Sequence, residues 1–146
     1  MEKLFIPYKL ALRLRNLGFI EPCFGYYDGT HNFNYMFEGK PEDFSNTRFP
    51  LGNPVGWTSA PLFQQAFKWI WERYHLSYNI FDWYDDFEVI ITEWTLTEDR
   101  ITHEFPQRSD VEYPTNRFDT YDRAEYAVLE RMIEMVEQKL NNIKIV

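Results

Sequence analysis

Seven carboxylates, Asp82, Asp85, Asp86, Glu88, Glu93, Glu98 and Asp99, fall between positions 82 and 99 with no intervening Lys or Arg. Three kinds of chemistry fit such a run. Charge along a sheet edge and its turns keeps strands soluble and discourages edge-to-edge pairing. A carboxylate surface also complements a partner with a basic face, and on that reading Asp85, Asp86, Glu98 and Asp99 are the candidate binding residues. Finally, two carboxylates held together raise one another's proton affinity or share a divalent ion, the basis of acid–base or hydrolytic chemistry. Glu93 and Glu104 are the pair that strand geometry juxtaposes, which makes them the candidate catalytic residues of a small carboxylate-dependent hydrolase.

Other chemistries are poorly served. His31, His75 and His103 have no spacing that lets one element offer two metal ligands. The run His103-Glu104-Phe105-Pro106-Gln107 begins like a zinc-protease helix, but the second histidine is missing and Pro106 disfavours a helix. The sequence contains no nucleophile elbow, phosphate-cradling loop or dinucleotide-binding glycine turn. Cys23 is the single cysteine, so an intramolecular disulfide is excluded and a small buried hydrophobe is the expected role. No cofactor and no metal are expected.

The elements that would position these groups follow from hydrophobic spacing and turn residues. Pro7 and Gly18 bracket a helix of about three turns with Leu10, Leu14 and Leu17 on one face and Lys9, Arg13 and Arg15 on its polar side. Asp28-Gly29 predicts a tight hairpin between roughly Phe24 and Phe37, with Phe33, Tyr35 and Phe37 on one face of the return strand. Positions 38–57, broken by Gly39, Pro41, Pro50, Gly52, Pro54 and Gly56, predict a long aromatic-bearing loop and a candidate contact surface that includes Trp57. Thr58 or Ser59 is the predicted cap of a core helix starting near Ala60, striped by Leu62, Phe63, Ala66, Phe67, Ile70 and Tyr74. Trp71 widens that stripe and is a candidate partner anchor at its rim.

Strands are predicted at Phe87–Leu96 and Ile101–Phe105, with Tyr78–Asp82 as a further candidate that would bring the total to about five. A turn centred between Glu98 and Asp99 pairs Leu96 with Ile101, Trp94 with His103 and Thr92 with Phe105. Ile90, Trp94 and His103 then face the helices, and Glu93 and Glu104 become neighbours on the opposite face. His103 is thereby turned away from both glutamates. A C-terminal helix is expected from Asp119 or Thr120 to about Leu140.

A length of 146 residues sets the expectation of one domain, and 45% hydrophobic with 19% aromatic residues excludes a disordered chain. The net charge of −8 repels phosphate backbones and anionic headgroups, so neither nucleic acid nor membrane is an expected partner. The longest uninterrupted aliphatic run is Val89–Ile91, far short of a span, and the first ten residues lack a signal pattern. A cytoplasmic address is the expectation.

Three segments, ALRLRNLGFIEPCFGYY at 11–27, SAPLFQQAFKW at 59–69 and FDTYDRAEYAVLERMIEMV at 118–136, resemble small proteins of unknown function found in Bacteroidetes genomes, their phages and mobile elements. The matching residues are those of packing and capping, so the resemblance implies a shared fold and an accessory, phage-related context, with no active site to transfer.

The sequence therefore predicts one α+β domain, a small, mainly antiparallel sheet built from hairpins and covered by about three helices. The leading function is a non-enzymatic accessory or protein-interaction domain for a partner with a basic surface, with a homodimer left open. The carboxylate-dependent hydrolase is the alternative.

Overall fold

The computed structural model describes residues 2–35, 45–47, 56–94, 100–103 and 116–145. The chain divides into two compact units, Met1–Ala66 and Phe67–Val146, with the boundary inside a helix. The fold is α+β, and among the described residues all strand pairing is antiparallel and the strands are distributed over two sheets.

In the first unit, α1 (Tyr8–Asn16) follows Pro7 and ends where Gly18 takes φ 94, a conformation that suits glycine. Leu10, Ala11 and Leu14 bury one face of this helix. Three short strands, β1 (Gly25–Tyr27), β2 (Phe33–Tyr35) and β3 (Thr58–Ala60), pair in the order β2-β1-β3. Gly25 lies opposite both Tyr35 and Ala60. A β-carbon there would sit 2.7 Å from the Phe33 ring and 3.1 Å from Phe5, so the aromatic packing requires glycine.

Two local expectations are corrected here. The β1–β2 connection spans residues 28–32, and its left-handed residue is His31 (φ 66) instead of Gly29. The Asp28 carboxylate organises the loop, accepting bonds from the backbone N–H groups of Thr30 and Asn32 and from both of their neighbouring side-chain donors, Thr30 Oγ1 and Asn34 Nδ2. Thr58 and Ser59, expected to cap a helix, form a fully buried strand: pairing with β1 engages their backbone, and Asn46 accepts the Ser59 N–H at 2.8 Å. Helix α2 (Phe63–Tyr74) starts later, with Leu62 accepting its first bond from Ala66.

In the second unit, β4 (Leu76–Trp83) and β5 (Asp86–Trp94) form a hairpin joined by Tyr84 and Asp85 alone. On its other side β5 pairs with β6 (Arg100–His103) along one half and with β7 (Arg117–Phe118) along the other. Helix α3 (Tyr121–Ile145) packs on β4, β5 and β7, burying Ala124, Val128, Leu129, Met132, Ile133 and Val136. Val89 and Ile91 are buried on the face that α3 covers.

The β5–β6 register differs from expectation. Trp94 lies opposite Arg100, Glu93 opposite Ile101, Thr92 opposite Thr102 and Ile91 opposite His103. This is three residues from the expected pairing, and an odd shift inverts which residues of the two strands share a face. Bulk at Ile90 and Trp94 suggested the covered face, but the odd-numbered set Val89, Ile91 and Glu93 turns toward α3. Glu93 is accommodated there by an ion pair with Lys139 of α3.

Candidate functional site

The tip of the β4–β5 hairpin gathers the largest exposed aromatic group among the described residues. Strand alternation puts Phe81 and Trp83 on the face of the sheet opposite α3, beside Glu88 and Asp86 of β5. Their relative exposures are 43% and 51%, and Tyr84 in the turn is fully exposed. Asp85 in the turn is exposed, and so is Asp82, which alternation turns to the α3 face.

Arg117 of β7 lies opposite Glu88 in register and reaches the same face. Its guanidinium pairs with both Asp86 oxygens at 3.2 and 3.3 Å and stands 6.0 Å above the Trp83 ring. The Trp83 indole N–H donates to Glu88 at 2.7 Å, and the second Glu88 oxygen accepts from Asn116 at 3.2 Å. The tip thus carries an aromatic platform that shares its face with the Asp86 and Glu88 carboxylates, with one guanidinium seated on it from within the chain. A flat ring with a carboxylate at its edge recognises cations through ring quadrupole and charge together.

The sequence-predicted residues separate on this geometry. Asp85 and Asp86 belong to the hairpin tip, Asp85 in its turn and Asp86 at its closing pair. Glu98, Asp99 and Glu104 lie outside the described residues, as does most of the 38–57 loop. Ile101 takes the place opposite Glu93 that the expected register gave to Glu104. Lys139 holds Glu93, whose side chain is only 16% exposed. Trp57 stacks on Tyr26 with ring centroids 4.7 Å apart, and its carbonyl accepts from Arg15 at 2.9 Å, which gives it a packing role in the first unit. Trp71 is 43% exposed and meets His75 and Trp94 edge-on, at the far end of β4 from the tip.

Burial shifts four further titratable groups. Burial pushes the Cys23 thiol up to about 12, suppressing the thiolate that nucleophilic chemistry needs. Burial first, then Tyr121 and Glu125, pushes Tyr78 up to about 12; burial, then Glu125 and Asp122, raises Tyr121; and burial, then Asp122, raises Glu125. Among the described residues, no group of three or more His, Cys, Asp or Glu side chains is arranged to hold a metal ion, and no helix is long and apolar enough to cross a membrane.

Phe81, Trp83, Tyr84 and Arg117 were not singled out by sequence reasoning. The available signal was the alternation from Leu76 to Trp83, followed by two turn residues and a second alternating run, which together specify a hairpin with aromatic residues at its tip. No protein-family model, curated protein or solved structure matches the chain.

Proposed function

We propose that this chain is a non-enzymatic protein-interaction domain that uses the β4–β5 hairpin tip to bind a partner with a basic surface. One observation carries the reading: Phe81 and Trp83 share a face with Asp86 and Glu88, and the fully exposed Tyr84 stands in the turn beside Asp85. Exposing large rings to water forgoes the favourable burial that the rest of the core obtains, and aromatic residues are enriched where partners dock. The seating of Arg117 over Trp83 and against Asp86 supports a guanidinium or ammonium as the complementary group.

The test compares the wild-type chain with Asp82→Asn/Asp85→Asn and with Trp83→Ala/Tyr84→Ala in capture of host proteins over a salt series. Charge complementarity predicts capture that weakens as salt rises and is reduced in both variants, with circular dichroism unchanged. Capture equal in all three proteins at every salt concentration overturns the assignment.

A further inference from the structure

Strand β4 lies at an edge of its sheet: among the described residues it pairs with β5 alone. Two bonds establish which of its backbone groups point outward. Trp94 donates its N–H to the carbonyl of His75, so these two residues form a bonded pair at the open end of the hairpin. Val89 instead donates to Asn116, on the side of β5 away from β4. Antiparallel ladders alternate bonded and non-bonded pairs, and residues of a non-bonded pair direct their N–H and C=O groups away from each other. Ile80, opposite Val89, therefore points its backbone away from β5, as do Tyr78 and Asp82 two positions to either side.

This edge lacks the usual protections. The strand LSYNIFDW runs for eight residues without Pro, Gly, Lys or Arg, and Asp82 is its one charge. Edges of this kind are templates for an added strand.

From this edge we infer that an extended segment bearing Lys or Arg at alternate positions adds to β4 as a further strand. The inference rests on the hairpin tip being a contact surface and specifies how the partner engages it. An added strand sends alternate side chains to opposite faces. On the face opposite α3, its basic residues run past Phe81 and Trp83 toward Asp86 and Glu88. On the other face, its remaining residues lie beside the half-buried Tyr78 and Ile80, where apolar groups fit. Charge complementarity selects this occupant over a second copy of the chain. Another β4 brings no cation to Asp86 and Glu88, whereas a basic segment brings several.

The probe is a synthetic peptide in which arginine alternates with valine, set against one with glutamate in place of arginine. With the arginine peptide, exchange of the Ile80 and Asp82 amides, followed by NMR, slows at least about tenfold, while the Asn79 and Phe81 amides, already bonded to β5, change little. Ile80→Pro removes an outward donor without removing a β4–β5 bond and weakens binding about five- to tenfold. If that variant fails to fold, the exchange pattern of the wild-type chain decides. Binding that is lost in Trp83→Ala/Tyr84→Ala but leaves the Ile80 and Asp82 amides unprotected overturns strand addition and keeps the hairpin-tip reading. Arginine-peptide binding indifferent to that double variant, or equal binding of the glutamate peptide, overturns both. Protection of the same amides that grows with protein concentration in the absence of peptide assigns the edge to a second copy and overturns the basic occupant.

Discussion

Glu93 on β5 and Lys139 on α3 form an ion pair on the covered face of the second sheet, the carboxylate 16% and the ammonium side chain 40% exposed. The pair ties the helix to the strand at the position where the alternation Phe87, Val89, Ile91 would otherwise deliver a lone charge beneath α3. Burial lowers the proton affinity of Lys139.

Lys139→Met takes the ammonium away from the mostly covered Glu93 carboxylate, and a loss of about 1–3 kcal/mol is expected from weakening the compensation of a shielded charge. Pairing it with Glu93→Leu removes both charges and should restore most of that stability. Urea unfolding of the two variants checks this: a double variant less stable than Lys139→Met alone contradicts the account.

Residues whose environment is local were legible in the sequence, and residues whose environment is set by long-range pairing were not. Pro7 and Gly18 bracket α1 because their backbone preferences act within one turn. The stripe of Ala124, Val128, Met132 and Val136 marks α3 for the same reason. Thr58 and Ser59 look like caps because each carries a hydroxyl, but β1 recruits them into a strand from more than thirty positions away in sequence. Glu93 reads as solvent-facing because an unpaired carboxylate avoids burial, and nothing near it in sequence announces Lys139. The hairpin tip was half legible. Its charge stood out as a run, whereas the exposure of Trp83 and Tyr84 depends on a register that only pairing fixes.

The Asp28 loop carries a pH dependence of definite sign. Hydrogen bonds from the Thr30 side chain first, then from the Asn32 and Thr30 backbone and from Asn34, hold the Asp28 carboxyl below its ordinary 3.8. A carboxylate with a depressed folded-state pKa contributes stability above the unfolded value and loses it as pH falls through the folded one. The Thr30 and Asn32 amide resonances should therefore titrate together below pH 3.8, and in Asp28→Ala that shared transition should vanish. Survival of the transition in the variant would assign it to another group.

Gly25 is expected to resist substitution. An added methyl group would enter the ring packing of Phe33, whose centroid lies 4.8 Å from those of both Phe5 and Tyr35. With rings on several sides, Phe33 has little room to withdraw, and Gly25→Ala should cost about 1–3 kcal/mol, the range for overpacking. Thermal unfolding indistinguishable from wild type would show that the cluster yields without strain.

Cys23 should be inert in the folded chain. It is fully buried, and with a pKa near 12 only about one thiol in ten thousand is ionised at pH 8. Iodoacetamide should label it at a rate set by unfolding and not by reagent concentration, with complete labelling in denaturant. Rapid, concentration-dependent labelling of the native chain would place the thiol at a reactive surface instead.

Glu125 offers the opposite sign to Asp28. Desolvation against α3's surroundings, and secondarily the charge of Asp122, raises its carboxyl above the ordinary 4.5, with Tyr78 and Tyr121 sharing the same acidic neighbourhood. A carboxyl whose folded-state pKa is raised contributes stability that is fully present below 4.5 and disappears as pH climbs through the folded value, because the folded chain binds that proton more tightly than the unfolded one. At neutral pH the ionised form is a net cost. Glu125→Gln keeps the shape, removes the charge and should stabilise the fold at pH 7 by a few tenths of a kcal/mol, discounted for the half-exposed setting. The gain should shrink toward zero as pH falls below 4.5, since both proteins are then neutral at this position. Urea midpoints measured at pH 7 and pH 4 separate this from a packing effect, which would shift both midpoints equally.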